Sequence, residues 1–170
     1  MRTRFVGAIL AAAFLTTAPA ALAQGVTFGI GGGWLPYLEE GAGSDFGVTG
    51  LVAFGGGEDL PVSFRVDATY VPSSDFANYA MFLGNVVYTF KTSADSRFHP
   101  YLLGGGGIIV NFIPDDTDID FGIGGGAGFD YQTTGSIRPF AEARFINEFV
   151  TGGSFQFMHI LAGVKFAPRS

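Results

Sequence analysis

Through most of the chain, bulky apolar residues alternate with small or polar residues. In the first such stretch, Phe28 and Ile30 share one parity, whereas Gly29 and Gly31 share the other. A period of two residues is typical of β-strands whose two faces meet different surroundings. The pattern therefore predicts an all-β fold. Eight such stretches occur, at residues 26–35, 45–55, 61–71, 80–90, 100–111, 120–131, 137–149 and 155–166.

The predicted strands have the length and the ends that a membrane requires. Each is close to the roughly 9–11 residues that a tilted strand needs to cross a bilayer. In a membrane barrel, aromatic rings lie at the two headgroup levels and aliphatic side chains lie in the hydrocarbon between them. The sequence thus predicts an eight-stranded antiparallel up-and-down transmembrane β-barrel. A soluble barrel with an inward aromatic face is the alternative, but it would expose the glycine-rich face to water with few charges to keep it soluble.

An even number of strands puts both chain ends on one side of the membrane. With the mature N-terminus in the periplasm, the aromatic residues at the strand ends sort into two bands. Odd-numbered strands then run outward through the membrane. We predict a periplasmic band of Phe28, Phe54, Phe90, Tyr101, Tyr131 and Phe166, and an outer band of Trp34, Phe46, Tyr70, Phe82, Phe112, Phe121 and Phe149.

The first residues have the composition of a cleavable signal peptide. Arg2 and Arg4 give a charged start, residues 5–15 form an apolar run, and Ala21-Leu22-Ala23 has the form of a cleavage site. The run is shorter than the about 20 residues that a membrane-spanning helix needs. We therefore expect residues 1–23 to be a Sec-type signal peptide. Residues 24–170 would form one barrel domain in the outer membrane of a Gram-negative bacterium.

Charge and cysteine content exclude several classes of protein. Without Arg2 and Arg4, the chain keeps seven of its nine basic residues against 15 acidic ones, which gives a net charge of −8. A nucleic-acid partner is not expected, because phosphate backbones are bound by basic surfaces. The chain has no cysteine, so neither a disulfide scaffold nor a lipid anchor on an N-terminal cysteine is available to it.

The signal peptide, the eight strands with aromatic ends and the acidic loops together resemble the small outer-membrane β-barrel family. This family includes the transmembrane domain of outer membrane protein A and the barrels of the OmpX type. A further likeness is Pro100-Tyr101-Leu102 followed by a run of glycines, and the alternation that ends at Phe166 is similar to the family's sorting signal. Residues 167–170 follow where the family normally ends on the aromatic. The resemblance implies outer-membrane lipids and the outer-membrane assembly machinery as partners, and no cofactor.

Charged residues inside two predicted strands indicate an internal site. Arg65 and Asp67 take the parity opposite to the apolar face of the third strand, and Glu142 and Arg144 do the same in the seventh. In a closed ring of eight strands these two lie opposite each other, so we predict a lumenal ion-pair network of the four residues. The network could be simple filling of a narrow interior or a gate that opens when pairs exchange. Filling is favoured, because an eight-stranded interior is only wide enough for side chains and buried charges must be paired.

Two glycine- or acid-rich patterns could suggest ligands but lack essential parts. The acidic run at residues 115–120 has the spacing of a calcium loop, yet Phe121 and Ala127 stand where that loop needs glycine and glutamate. We therefore interpret the run as a solvated extracellular loop. The glycines of residues 122–126 resemble a dinucleotide motif but are not followed by the helix it needs. Glycines at 104–107 occupy both parities, so the facing of the fifth strand stays open.

Catalysis is not indicated by the sequence. Barrels of this shape that deacylate lipid A use a histidine and a serine two residues apart, whereas His99 and His159 have no serine at that spacing. A lone histidine in a strand is more often structural than a general base. We therefore predict no catalytic, cofactor-binding or metal-binding residues.

Three functions remain open at this point. The first is a structural or interaction barrel that supports the envelope or displays short surface loops. The second is a narrow, porin-like diffusion channel, and the third is a lipid-modifying enzyme. Short loops and a filled interior favour the first.

Overall fold

The computed structural model describes residues 25–55, 61–72, 78–93, 95–113 and 116–166. Each strand pairs antiparallel with its neighbours in the chain, and the last pairs back with the first, so the sheet closes into a barrel. The predicted eight-stranded antiparallel up-and-down barrel is confirmed. The strands are β1 Thr27–Pro36, β2 Ser44–Gly55, β3 Val62–Val71, β4 Asn78–Thr89, β5 Phe98–Ile113, β6 Asp116–Tyr131, β7 Ile137–Val150 and β8 Gly153–Phe166.

The predicted signal peptide at residues 1–23 and the segment 167–170 lie outside the described residues. Over the described ranges, no helix is long and apolar enough to span a membrane. We call the end of the barrel that carries Gly25 and Phe166 the terminal end, and the opposite end the distal end.

The β5–β6 hairpin reaches further at the distal end than the sequence pattern predicted. Both strands have 16 residues, and the ladder continues to the pair Ile113 and Asp116. The interpretation of the acidic run as a loop is therefore wrong for its larger part, since Asp118 pairs with Asn111 inside the ladder. Alternation explains this, because Ile119, which precedes the predicted start of the sixth strand at residue 120, still points outward and the two strands remain in register.

The two faces of the wall reverse the order found in soluble proteins. Large apolar side chains face outward, where Phe46 is 70% exposed, and charged side chains face inward, where Arg65 is 1% exposed. Twelve of the thirteen aromatic residues predicted for the girdle face outward, eleven of them within their strands and Phe90 directly after the end of β4. These are Phe28, Trp34, Phe46, Phe54, Tyr70, Phe82, Phe90, Phe112, Phe121, Tyr131, Phe149 and Phe166.

Tyr101 is the exception, and its placement in the periplasmic band was wrong. Its side chain is 1% exposed and points into the lumen, as do Leu103 and Ile109 on the same parity of β5. Leu102 and Phe112 occupy the outward face of this strand. Tyr101 therefore has the parity opposite to Phe112, and only one of the two could belong to an outward girdle.

Inward-facing glycines allow the wall to curve around its contents. A Cβ atom on Gly126 would lie 2.1 Å from the carbonyl oxygen of Ala143, and one on Gly105 would lie 1.9 Å from that of Gly84. Neighbouring strands approach so closely here that no other residue fits, which is the usual reason for glycine at a bend of a small barrel.

The distal half of the lumen is filled by apolar side chains. Its buried members come from six strands and form one cluster, which we call the distal apolar cluster. The other two strands, β2 and β6, contribute Gly47 and Gly122, where an added Cβ atom would lie 2.8 Å from Val71 and 3.0 Å from Ile109, respectively. All eight strands thus contact this layer. The cluster consists of Leu35, Val71, Tyr79, Met81, Leu83, Ile109, Ile146 and Phe157.

Candidate functional site

Two strands on opposite sides of the lumen carry the predicted charged residues. On β3 the order along the chain is Arg65 and then Asp67, whereas on β7 it is Glu142 and then Arg144. Both strands run in the same direction, so each charge meets its opposite at the same height. The residues at one level are Arg65 and Glu142, and those at the next are Asp67 and Arg144.

The pair of Arg65 and Glu142, which lies nearer the terminal end, makes a two-pronged contact. Arg65 Nη1 donates to Glu142 Oε2 and Arg65 Nη2 donates to Glu142 Oε1, both at 2.9 Å. Parallel contacts between a guanidinium and a carboxylate are among the stronger hydrogen bonds in proteins, because both partners are charged and the geometry of the two planes matches. Both side chains are almost completely buried.

The pair of Asp67 and Arg144, which lies nearer the distal end, closes the network into a ring. Arg144 Nη1 donates to Asp67 Oδ2 at 2.9 Å, and Arg144 Nε donates to Glu142. Arg65 Nε lies 3.1 Å from Asp67 Oδ1. Each guanidinium therefore contacts both carboxylates, and the two positive and two negative charges balance. Buried charges of this kind are tolerated only when they are paired and hydrogen-bonded.

Two neutral side chains complete the ring, and the sequence pattern assigned neither to it. Asn85 Nδ2 donates to Asp67 Oδ2 at 2.7 Å from β4, and the Tyr101 hydroxyl donates to Glu142 Oε2 at 2.7 Å from β5. Asn85 could have been found from its parity, because it lies between Leu83 and Val87 on the inward face of its strand. The facing of Tyr101 did not follow from the pattern, because the glycines after it occupy both parities of the strand.

Glycines on β6 make room for the β7 side of the network. Gly126 stands opposite Arg144 in the ladder and Gly128 stands opposite Glu142. A Cβ atom on Gly128 would lie 2.6 Å from Glu142 Cβ and 2.7 Å from Cζ of Tyr101. The glycine-rich face of this strand is thus the counterpart of the bulky charged face beside it.

A separate ion pair lies nearer the terminal end. Lys165 Nζ is 2.6 Å from Asp130 Oδ1, and it lies 4.5 Å from the ring centre of Tyr101 and 4.9 Å from that of Phe140. A cation over aromatic faces is attracted to their electron density. These contacts hold the ammonium group in the lumen rather than at the end of the barrel.

The distal rim carries hydrogen-bonded acids. Asn111 Nδ2 lies 3.1 Å from Asp120 Oδ2 and 3.1 Å from Glu148 Oε1, so one amide bridges two carboxyl groups. The Tyr37 hydroxyl donates to Asp45. Burial is the main cause that raises the pKa of Tyr37, and this hydrogen bond raises it further. Over the described ranges, no group of three or more His, Asp or Glu side chains is placed to hold a metal ion.

Solved structures of several bacterial barrels share this fold. Neisserial surface protein A superposes with a TM-score of 0.63 at 17% sequence identity, over 83% of this chain and 96% of that one. The N-terminal β-barrel domain of Pseudomonas aeruginosa OprF gives 0.55 at 14% identity, over 82% and 97%. Ail, the attachment invasion locus protein of Yersinia pestis, gives 0.52 at 13% identity, over 84% and 99%.

These neighbours are small outer-membrane barrels, so the chain has the fold of that class. No protein-family model and no curated protein sequence matches the chain. The likeness therefore concerns architecture, and the evidence on function comes from the contents of the barrel.

Proposed function

We propose that this chain is an integral outer-membrane barrel of a Gram-negative bacterium with a closed interior, and that it acts by supporting the envelope and displaying short loops. Three features support this role: what fills the lumen, what surrounds the wall and what the loops offer.

The filled lumen is the observation that carries the proposal. The ring of Arg65, Asp67, Glu142 and Arg144 occupies the middle of the barrel with side chains that are at most 4% exposed. The distal apolar cluster lies between this ring and the distal end, and all eight strands contact it. Apart from the Tyr79 hydroxyl, the side chains of this cluster offer no hydrogen bonds to a permeating ion or solute, which would have to lose its hydration to pass.

The outer face supports a position in lipid. Residues such as Phe46, Val48, Phe64 and Ile119 are at least 57% exposed, and they form part of a continuous apolar wall. A soluble protein rarely exposes so large an apolar surface. Outer-membrane lipids are the partner that this surface fits, and insertion by the assembly machinery follows from the same proposal.

The loops support display rather than binding of a large ligand. Only residues 37–43 separate β1 from β2 at the distal end, and residues 151–152 separate β7 from β8. The names of two structural neighbours, a surface protein and an attachment locus protein, fit a role at the cell surface. The described distal rim is acidic, with Asp45, Asp118, Asp120 and Glu148.

Single-channel recording in planar bilayers tests the closed interior. We expect the refolded wild-type barrel to give no stepwise current in molar potassium chloride. A wide-channel porin inserted by the same procedure serves as the positive control for insertion and detection. Regular conductance steps from the wild-type barrel would contradict the proposal in favour of a narrow diffusion channel. Mass analysis of lipid A after incubation with the barrel would reveal the enzymatic alternative.

Cell fractionation tests the location. N-terminal sequencing of the membrane-bound protein should begin at Gln24, with the protein in the outer-membrane fraction. A chain that still begins at Met1, or that is recovered in the cytosol, would contradict both the export and the location.

A further inference from the structure

His159 is buried in the lumen without a hydrogen-bond partner. Its side chain is 1% exposed, and neither Nδ1 nor Nε2 has a partner within the part of the chain that the structure describes. A neutral imidazole has one donor and one acceptor, and leaving both unpaired in a buried site destabilises the fold. Its neighbours on the inward face of β8, Phe157 and Leu161, fill space with apolar groups alone. The need to fill space in the lumen therefore does not explain why a histidine stands at this position.

The surroundings of the imidazole contain charges, but these are engaged with each other. On β7, Arg144 stands directly opposite His159, and Glu142 follows on the same face. From across the lumen, β3 presents Arg65 and Asp67. On its own strand, the inward face of β8 carries Lys165 towards the terminal end, and that ammonium is paired with Asp130.

The other flank of His159 carries no charge. The neighbouring strand β1 has no titratable residue between Thr27 and Pro36. Gly33 lies so close that a Cβ atom there would be 2.3 Å from His159 Nε2. The ring is thus held between the backbone of β1 and the guanidinium side of the network, and among the described residues no carboxylate accepts a hydrogen bond from either ring nitrogen.

We propose that His159 makes the closed barrel sensitive to acid, because a proton on this imidazole breaks the charge balance of the four-residue network and loosens the lumen. The network alone contains two positive and two negative charges. An imidazolium adds a third positive charge beside Arg144 in a space shielded from water, where like charges repel strongly. This inference rests on the buried geometry and holds whether or not the barrel has the structural role proposed above.

The direction of the pH effect follows from proton linkage. In the unfolded chain, His159 takes up its proton near the ordinary pKa of about 6.5. A proton added to the ring in the folded barrel meets the repulsion from Arg144 described above, so the unfolded state binds more protons below that pH. Stability is therefore complete above about pH 6.5 and falls as the pH drops below it, by up to about tenfold in the unfolding equilibrium constant per pH unit.

The chain offers its own control, since it has two histidines. His99 lies near the terminal end, with Nε2 at 3.1 Å from Gln132 Oε1 and Nδ1 at 3.4 Å from Thr92 Oγ1. It is therefore partnered and lies outside the network. Replacing His99 leaves His159 as the sole imidazole, and replacing His159 does the reverse.

The experiment compares the wild-type barrel, His159→Gln and His99→Gln, refolded without an affinity tag in phosphatidylcholine vesicles. Unfolding in guanidinium chloride is followed at pH 7.5 and pH 5.0. We expect the wild type and His99→Gln to become less stable at the lower pH by about tenfold or more in the unfolding equilibrium constant, beyond any change in His159→Gln. Carboxylates titrate in all three proteins, so the difference isolates the imidazole. An equal loss in His159→Gln and the wild type would overturn the proposal.

A second measurement uses the wild type, in case His159→Gln does not fold. Nitrogen-15 spectra of histidine-labelled barrel in detergent micelles report the charge of each ring directly. We expect the His159 ring to remain neutral as the pH falls, until the barrel itself loosens. A His159 ring that becomes charged at the ordinary pH, in a barrel whose stability does not change, would overturn the proposal.

Discussion

The middle and distal layers of the lumen fill the same narrow space with opposite chemistry. In the middle layer, Arg65 and Arg144 need the carboxylates of Asp67 and Glu142, because each charge alone would be buried without a partner. In the distal apolar cluster, a side chain such as Met81 needs only a neighbour of the right shape. The first layer is therefore expected to fail abruptly when one member is lost, and the second to weaken in proportion to the volume removed.

Loss of one arginine should produce the largest effect. Arg144→Ala leaves Asp67 without the guanidinium contact at 2.9 Å and leaves the ring with an excess negative charge. We expect a loss of about 3–5 kcal/mol in the free energy of unfolding, since breaking a buried pair strands the remaining charge. Refolding titrations in lipid vesicles measure it. Val48→Arg on the lipid face is a useful comparison, with an expected loss of about 2–4 kcal/mol at mid-height.

The same variant separates filling from gating. If the network only fills the lumen, the Arg144→Ala barrel should stay closed in planar bilayers or unfold. A folded barrel that conducts more than the wild type would instead show that the network acts as a gate. We expect filling, because the distal apolar cluster still blocks the lumen in this variant.

A truncation in the distal apolar cluster should lower the free energy of unfolding by roughly as much as the loss of one arginine. It does so without any change in charge. Met81 is fully buried between Thr69 and Ile109 of the neighbouring strands. We expect Met81→Ala to lose roughly 2–5 kcal/mol through lost burial and the cavity that remains. Met81→Leu keeps the volume and should lose less than about 1.5 kcal/mol. Equal losses for both variants would mean that shape does not govern this layer.

Glycine opposite the network provides a test of how tightly the charged layer is enclosed. A Cβ atom on Gly126 would meet the carbonyl oxygen of Ala143 at 2.1 Å and Arg144 Cα at 2.7 Å. Because backbone atoms cannot move aside easily, we expect Gly126→Ala to destabilise the barrel by about 1–3 kcal/mol. The control is Gly125→Ala on the outward face of the same strand, where the nearest atom would be 3.3 Å away. Similar losses at both positions would argue that the glycines serve only strand flexibility.

The sequence predicts the wall of this barrel better than its contents. Alternation locates all eight strands and places charges such as Arg65 inward, because residue parity depends on local geometry alone. Tyr101 was predicted to face lipid, as aromatic residues at the strand ends of a membrane barrel do, whereas its side chain lies in the lumen. Heights in the lumen depend on the stagger between strands, which no single strand encodes. For that reason neither the hydrogen bond from Asn85 nor the isolation of His159 followed from the pattern.

Coupling within the charged layer gives the last and smallest expected effect. Glu142→Gln and Arg144→Met each disturb the ring, but together they remove one charge of each sign from contacting side chains. The double variant should therefore lose less stability than the two single losses combined, by about 0.5–3 kcal/mol. Refolding free energies of the four proteins in this cycle measure the difference, with Glu142→Gln and Met81→Leu as a pair from separate layers that should combine additively. Additive losses for both pairs would show that the four charges act independently, and the contrast between the two layers would then be one of polarity alone.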